Sequence, residues 1–138
     1  MARVDWHVLL PRSAFQLYPP VPRQVINLVE AELGSPLPSE LLDLYLTSDG
    51  VLDLGGQWFV IWPLARLIEH NRAAWANEPA DLLPLLAFGD DGTGNPFCIR
   101  RTGTPGIVVW NPIDGAAYHL ADTLDTFWRG WNDGTITT

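Results

Sequence analysis

From Arg23 onward, apolar residues recur at helical spacing. Ile26, Val29 and Leu33 fall on one face, Pro22 stands where a helix begins and Gly34 just past where one ends, so the pattern predicts a helix over 23–33. Leu41, Leu44 and Tyr45 repeat that spacing after Leu37-Pro38-Ser39-Glu40. They predict a second helix that stops before Asp49-Gly50 and makes a short hairpin with the first. The period then changes. Segments 51–54 and 57–61 read as strands joined at Gly55-Gly56, a pair suited to a tight two-residue turn. Pro63, Leu64, Leu67, Ile68, Asn71 and Trp75 restore the helical period and predict a third helix over about 63–76.

The second half is strand-rich. A short strand lies within 82–88, interrupted early by Pro84, and residues 89–96 are dense turn chemistry. Strands follow at 97–100, 107–110 and 116–119, the last two joined across 111–115. Asp122 is placed to cap a closing helix with Leu124, Phe127, Trp128 and Trp131 inside and Gly134 at its end. Neighbouring strands in runs, rather than strict strand-helix alternation, predict an α+β fold. It comprises an N-terminal helical hairpin, an antiparallel sheet of about six short strands, one inserted helix and a C-terminal helix. Leu33, Leu37, Leu41, Val109, Trp110, Phe127 and Trp131 are expected in one core joining hairpin to sheet. Pro11, Pro19, Pro20 and Pro22 break up the opening, so residues 1–21 read as an arm packed on a single domain over 22–138, with helix there limited to about a turn.

A chain of 138 residues, 47% hydrophobic and 17% charged, has enough apolar side chain for one self-folding domain. Sixteen acids against eight basic residues give a net charge of −8, the wrong sign for wrapping nucleic-acid phosphates, so direct nucleic-acid binding is not expected. All the basic residues are arginines. Arg3, Arg12 and Arg23 make the opening mildly basic, while the rest of the chain carries the acidity. Glu30, Glu32, Glu40, Asp43, Asp49 and Asp53 follow one another with no basic residue between them. Such a run reads either as a solvated face that keeps the protein soluble or as a docking surface for a basic partner. The N-terminal apolar stretch is too short for a signal peptide, and no segment reaches the roughly 18 apolar residues of a membrane span. Cytoplasmic residence is the expectation.

Catalytic signatures are sparse. The string Gly89-Asp90-Asp91-Gly92-Thr93 nearly spells the phosphate loop of nucleotide and diacylglycerol kinases but departs at its second position, and no basic residue lies between 73 and 99 to neutralise a triphosphate. It reads as a structural turn. Asp90 and Asp91 could hold a hard cation, yet the alternating acids of a calcium loop are missing. His7, His70 and His119 form no recognised ligand spacing, and the single Cys98 sits among apolar strand residues, where cysteine is usually inert packing. No cofactor or metal is expected. Seven tryptophans remain. Trp110, Trp128 and Trp131 read as core. Trp58, Trp62 and Trp75 read either as packing of the sheet on the third helix or as interface aromatics.

Taken in order, several segments resemble the SUKH superfamily, which includes fungal Smi/Knr-type cell-wall assembly regulators and many bacterial toxin-immunity proteins. They are Glu30-x-x-Leu33-Gly34-x-x-Leu37-Pro38, the helix through Leu46 with Asp49-Gly50, the middle helix ending Asn71-Arg72, and Phe88-Gly89-Asp90-Asp91-Gly92-x-Gly94-Asn95. Ile107-Val108-Val109-Trp110 and Leu120-Ala121-Asp122-Thr123-Leu124 with Phe127 follow. The likeness spans about 22–131. Asp49 stands where Asn is usual, Thr123-Leu124 where Ser-Phe is usual, and Pro96 enters the strand after the loop. The resemblance implies a binding domain without catalytic residues, often encoded beside a toxin that it neutralises. An acidic chain suits a toxin whose basic cleft attacks nucleic acid. An intracellular scaffold of the cell-wall regulator type is the alternative, and a small metal-dependent enzyme using Asp90 and Asp91 is the third. The candidate partner-binding residues are Asp49, Asp53, Trp58, Trp75, Asp90 and Asp91, chosen for predicted loops and element ends that combine carboxylates with exposed aromatics.

Overall fold

The computed structural model describes residues 4–77 and 80–138. Arg3 of the basic opening lies outside the described residues. Helix α2 (Arg23–Leu33) buries Ile26, Val29 and Leu33 and ends at Gly34, whose φ of +69° suits the left-handed position that closes a helix. Helix α3 (Ser39–Thr47) buries Leu41, Leu44 and Tyr45. Pro38, the residue before α3, offers no side-chain cap, and Glu30 Oε2 reaches across the hairpin to accept from Leu37 N at 2.7 Å. That bond ties the two ends of the Glu30-to-Pro38 segment together.

The fold is α+β, with a seven-stranded antiparallel sheet whose strands are neighbours in the order they occur. They are β1 (Phe15–Leu17), β2 (Val51–Asp53), β3 (Trp58–Ile61), β4 (Leu85–Asp90), β5 (Pro96–Arg100), β6 (Ile107–Asn111) and β7 (Ala116–Ala121). The count is seven rather than about six because the proline-rich opening supplies an edge strand, β1, paired with β2 through Phe15↔Asp53 and Leu17↔Val51. Ahead of it a single turn of helix, α1 (Trp6–Leu9), is capped by Asp5. Trp6, Leu10 and Phe15 all enter the main core. Buried Ser48 fixes this opening to the body: its hydroxyl accepts from Tyr18 N at 2.9 Å and donates to the Gly50 carbonyl. Gly50 has φ +89°, and a Cβ there would stand 2.9 Å from Pro63 N, so both conformation and space require glycine.

Helices α2, α3 and α5 (Leu124–Asp133) contribute to the larger core, which includes Leu41, Phe88, Phe97, Ile107, Val109 and Phe127, with Trp131 packed against it half-buried. Trp110 differs from expectation. Side chains alternate across a strand, so Val109 enters this core while Trp110 points to the other face, into a smaller cluster with Trp62, Leu85, Ala87, Cys98 and Val108. Two turn expectations also change. The 54–57 turn has four residues, with Gln57 at φ +58° and its amide donating to the Leu54 carbonyl, so β3 begins at Trp58. Thr123, not Asp122, caps α5, since its hydroxyl accepts from Thr126 N; Asp122 instead pairs with His119.

The β3–β4 seam is thin. It consists of the pair Ile61↔Gly89 and a bond from Trp62 N to the Phe88 carbonyl. Gly89 allows this approach, because a Cβ there would lie 1.9 Å from the Val60 oxygen. Beyond the seam, helix α4 (Leu64–Ala76) takes over the free edge of β4. Asn71 accepts from Ala87 N and donates to the Ala87 carbonyl, and Trp75 Nε1 donates to the Leu85 carbonyl. Backbone groups that a strand would have paired are thereby satisfied by side chains.

Candidate partner-binding surface

In a consecutive antiparallel meander, alternate turns emerge at the same end of the sheet. The β2–β3, β4–β5 and β6–β7 turns share one end here, and they bring Asp53, Asp90, Asp91 and Asp114 there. The β5–β6 turn, with Arg100 and Arg101 at its start, lies at the other. We call the end with the four turn carboxylates the acidic end, and the end with Arg100 and Arg101, which also holds Asp49 and Asp122, the arginine end.

Trp58 joins the first two acidic turns. It sits opposite Asp53 in the β2–β3 ladder, and its Nε1 donates to the Asp90 carbonyl at 3.2 Å. Gly56 and Gly92 leave room for its ring: a Cβ would approach it to 2.0 Å at Gly56 and 3.2 Å at Gly92. Trp58 is half-buried, so it packs between the two turns and still shows part of its ring.

The carboxylates are committed to the backbone. Asp53 Oδ1 accepts from Gly56 N at 2.8 Å, and Asp90 Oδ1 accepts from Gly92 N at 2.8 Å. Asp91, 8% exposed, accepts from Thr93 N, Thr93 Oγ1, Asn95 N, Asn95 Nδ2 and Thr138 Oγ1, so it organises the whole 91–95 loop and holds the C-terminus. Burial pushes the Asp91 carboxyl up, but the hydrogen bonds from Thr93, Thr138 and Asn95 outweigh it and hold the group below the ordinary carboxylate value. With Gly92 and Gly94 at positive φ, this loop is a built turn.

Asp49 and Trp75 stand apart from that group. Asp49 lies at the far end of β2, where its Oδ1 accepts from Leu64 N at 2.9 Å and caps α4 in place of Pro63. Trp75 lies at the arginine end, half-buried, with the Arg101 guanidinium 3.7 Å above its ring. Arg101 also donates to the Leu83 carbonyl. Four acids of the run from Glu30 to Asp53 also have local roles in the fold. Glu30, Glu40, Asp49 and Asp53 each accept a backbone N–H, Glu40 from Leu124 N at the start of α5.

Asp90 also organises residues that sequence reading did not group. Its Oδ2 accepts from Trp62 Nε1 at 2.8 Å and stands 3.7 Å from Arg66 Nη2. The Arg66 guanidinium lies 4.8 Å from the Trp62 ring centroid, and the His70 ring packs on the same indole at 4.6 Å. Burial and the nearby Arg66 charge lower the His70 pKa against the opposing pull of Asp90. The four-residue spacing of Trp62, Arg66 and His70 was the available signal, since it places them along one side of α4 and its approach. Beside His70 a half-open apolar cavity of about 220 Å³ is walled by Leu82, Leu85, Ala87, Cys98 and Trp110. The Cys98 thiol is pushed up to about 12 by burial, which keeps it protonated and unreactive at ordinary pH.

Among the described residues no three His, Cys, Asp or Glu side chains converge to hold a metal ion, and no helix is long and apolar enough to cross a membrane. The arrangement offers acidic turns stiffened by backbone hydrogen bonds, an indole between them and an Arg-His-Trp stack alongside. No curated protein matches the chain. A family model does match, over residues 20–130, most of the chain: the chain belongs to the SMI1/KNR4 family (SUKH-1).

Proposed function

We propose that this chain is a non-enzymatic protein-binding module that binds and neutralises a cognate toxin domain, acting as an immunity protein. The observation that carries the reading is membership of a family that includes immunity proteins, across residues 20–130. The net charge of −8 supports a basic partner, since complementary fields speed encounter and disfavour wrong partners. A toxin domain with a basic nucleic-acid cleft fits that description, and the cytoplasm is where such a toxin would have to be met.

The contact surface in this reading is the acidic end of the sheet. Asp53, Trp58 and Asp90 meet the partner, Asp91 holds the loop that presents Asp90, and Asp49 and Trp75 position α4 from either end. Hydrogen bonds that fix the acidic turns before binding reduce the ordering cost of association. The test is co-expression with the toxin-like product of the gene adjacent to this chain's own. Growth protection together with co-purification supports the reading. A toxin left fully active beside soluble chain contradicts it and favours a scaffold role.

A further inference from the structure

The sheet has two edges that differ sharply. β1 spans three residues between Pro11 and Pro19-Pro20, and the chain leaving it is tied down through Tyr18 N to Ser48. Short length and flanking prolines are the usual guards against strand pairing. β7 spans six residues, Ala116-Ala117-Tyr118-His119-Leu120-Ala121, with no proline and no Lys, Arg, Asp or Glu. It pairs with β6 on one side, and among the described residues its outward backbone groups take no partner from another element. Tyr118 is 48% exposed.

Two further features bear on what covers this edge. A cleft of about 260 Å³ lies beside it, bordered by Val109, Asn111, Tyr118, Leu120 and Thr138, on the face where a side chain of an added strand would rest. Exposed acids mark both ends of the strand. Asp114 accepts from the Tyr118 hydroxyl at 2.7 Å, and Asp122, 89% exposed at its side chain, pairs with His119 at 2.9 Å. Asp114 and Asp122 are equally distant from Tyr118 along the chain. A second copy pairing antiparallel about Tyr118 would therefore set Asp114 of each chain against Asp122 of the other, a like-charge arrangement that opposes self-association.

We propose that the free edge of β7 is a docking site for an extended segment of the partner protein, neutral through its middle and basic at both ends, which adds to the sheet as a further strand. The inference rests on the reading of this chain as a protein-binding module, and it names the partner's chemistry. Main-chain hydrogen bonds supply the attachment, the cleft by Tyr118 and Leu120 selects a side chain, and Asp114 with Asp122 selects basic ends.

The probe is a synthetic peptide of alternating Thr and Val with Lys at both ends. Controls carry Glu at both ends, or a central Pro. Backbone amide shifts and hydrogen exchange of the full chain are followed by NMR. The Lys-ended peptide should shift and protect amides within 116–121, the Glu-ended one should bind roughly tenfold more weakly, and the Pro peptide should fail. Asp114→Lys with Asp122→Lys should reverse the order of the first two. Asp114→Asn with Asp122→Asn should promote dimers in sedimentation while the wild type stays monomeric. Responses confined to another surface, a ranking indifferent to end charge, or a wild-type dimer joined through β7 would each overturn the proposal. A toxin complex that leaves the 116–121 amides exchanging freely would overturn it too while leaving immunity intact. Peptide docking without any toxin protection would do the reverse.

Discussion

Asn71 treats Ala87 as a neighbouring strand would: its side-chain amide accepts from the Ala87 N–H and donates to the Ala87 carbonyl, both at 2.8 Å, in a site 1% exposed. A third bond from the same Nδ2 reaches the Leu67 carbonyl. Removing the amide leaves the buried N–H and carbonyl of Ala87 without their partner. Asn71→Ala should lose about 2–4 kcal/mol in urea unfolding, and Asn71→Asp, which cannot donate when ionised, should lose at least as much. A loss below about 0.5 kcal/mol would mean that β4 needs no help from α4.

Asp91 makes stability depend on acid. Its folded pKa lies below the ordinary value because Thr93, Thr138 and Asn95 outweigh the effect of burial. The unfolded chain therefore binds the proton more readily, and the stabilisation, complete above the unfolded carboxylate value near ~4, is lost as pH falls through the folded pKa. Asp91→Asn should flatten the fall of melting temperature across that acid range and lower stability at pH 7 by roughly 1–3 kcal/mol. An unchanged acid profile would remove Asp91 from this role.

Two glycines should respond differently to alanine. At Gly34 nothing obstructs a Cβ, so Gly34→Ala bears only the strain of φ +69°, about 1–2 kcal/mol. At Gly89 the Cβ would lie 1.9 Å from the Val60 oxygen and force β3 away from β4, so Gly89→Ala should be insoluble or destabilised well beyond Gly34→Ala. Thermal melts of the pair decide this. Equal losses would mean that the seam at Ile61↔Gly89 is loose.

Partner association should separate two carboxylates that look equivalent in sequence. Asp53 is at the acidic end, whereas Asp49 caps α4 through Leu64 N. Asp53→Lys should slow association with the toxin domain and weaken its salt dependence, and Trp58→Ala should speed dissociation. Asp49→Ala should instead lower stability by about 1 kcal/mol and leave the association rate unchanged. Stopped-flow binding at two ionic strengths measures all three. An association rate that follows Asp49 rather than Asp53 would move the contact surface.

Helical spacing finds α2 to α5, and apolar or β-branched runs bounded by turn residues find six strands, including the three-residue β2 beside Gly55-Gly56. β1 escapes that reading, since it lies among Pro11, Pro19 and Pro20 and its partner β2 is more than thirty residues away, with no hairpin turn to mark the pair. Nor does that reading reveal the face of Trp110, which depends on register rather than composition. Carboxylates were harder still. That Asp49 serves Leu64 and Glu40 serves Leu124 is settled by tertiary closure, so a run of acids read as one surface divides into separate caps. The Trp58–Asp90 link joins two separate hairpins and has no signature in the sequence, whereas the Trp62, Arg66 and His70 stack leaves its trace in their four-residue spacing.

The most direct measurement is a titration of the purified toxin domain's activity with purified chain. A non-enzymatic immunity protein acts by occupancy, so activity should fall linearly to its floor at one equivalent, with the toxin's mass unchanged and its activity recovered on separation. Inactivation of many equivalents of toxin by one of this chain, or a lasting change in the toxin's mass, would contradict binding as the mechanism.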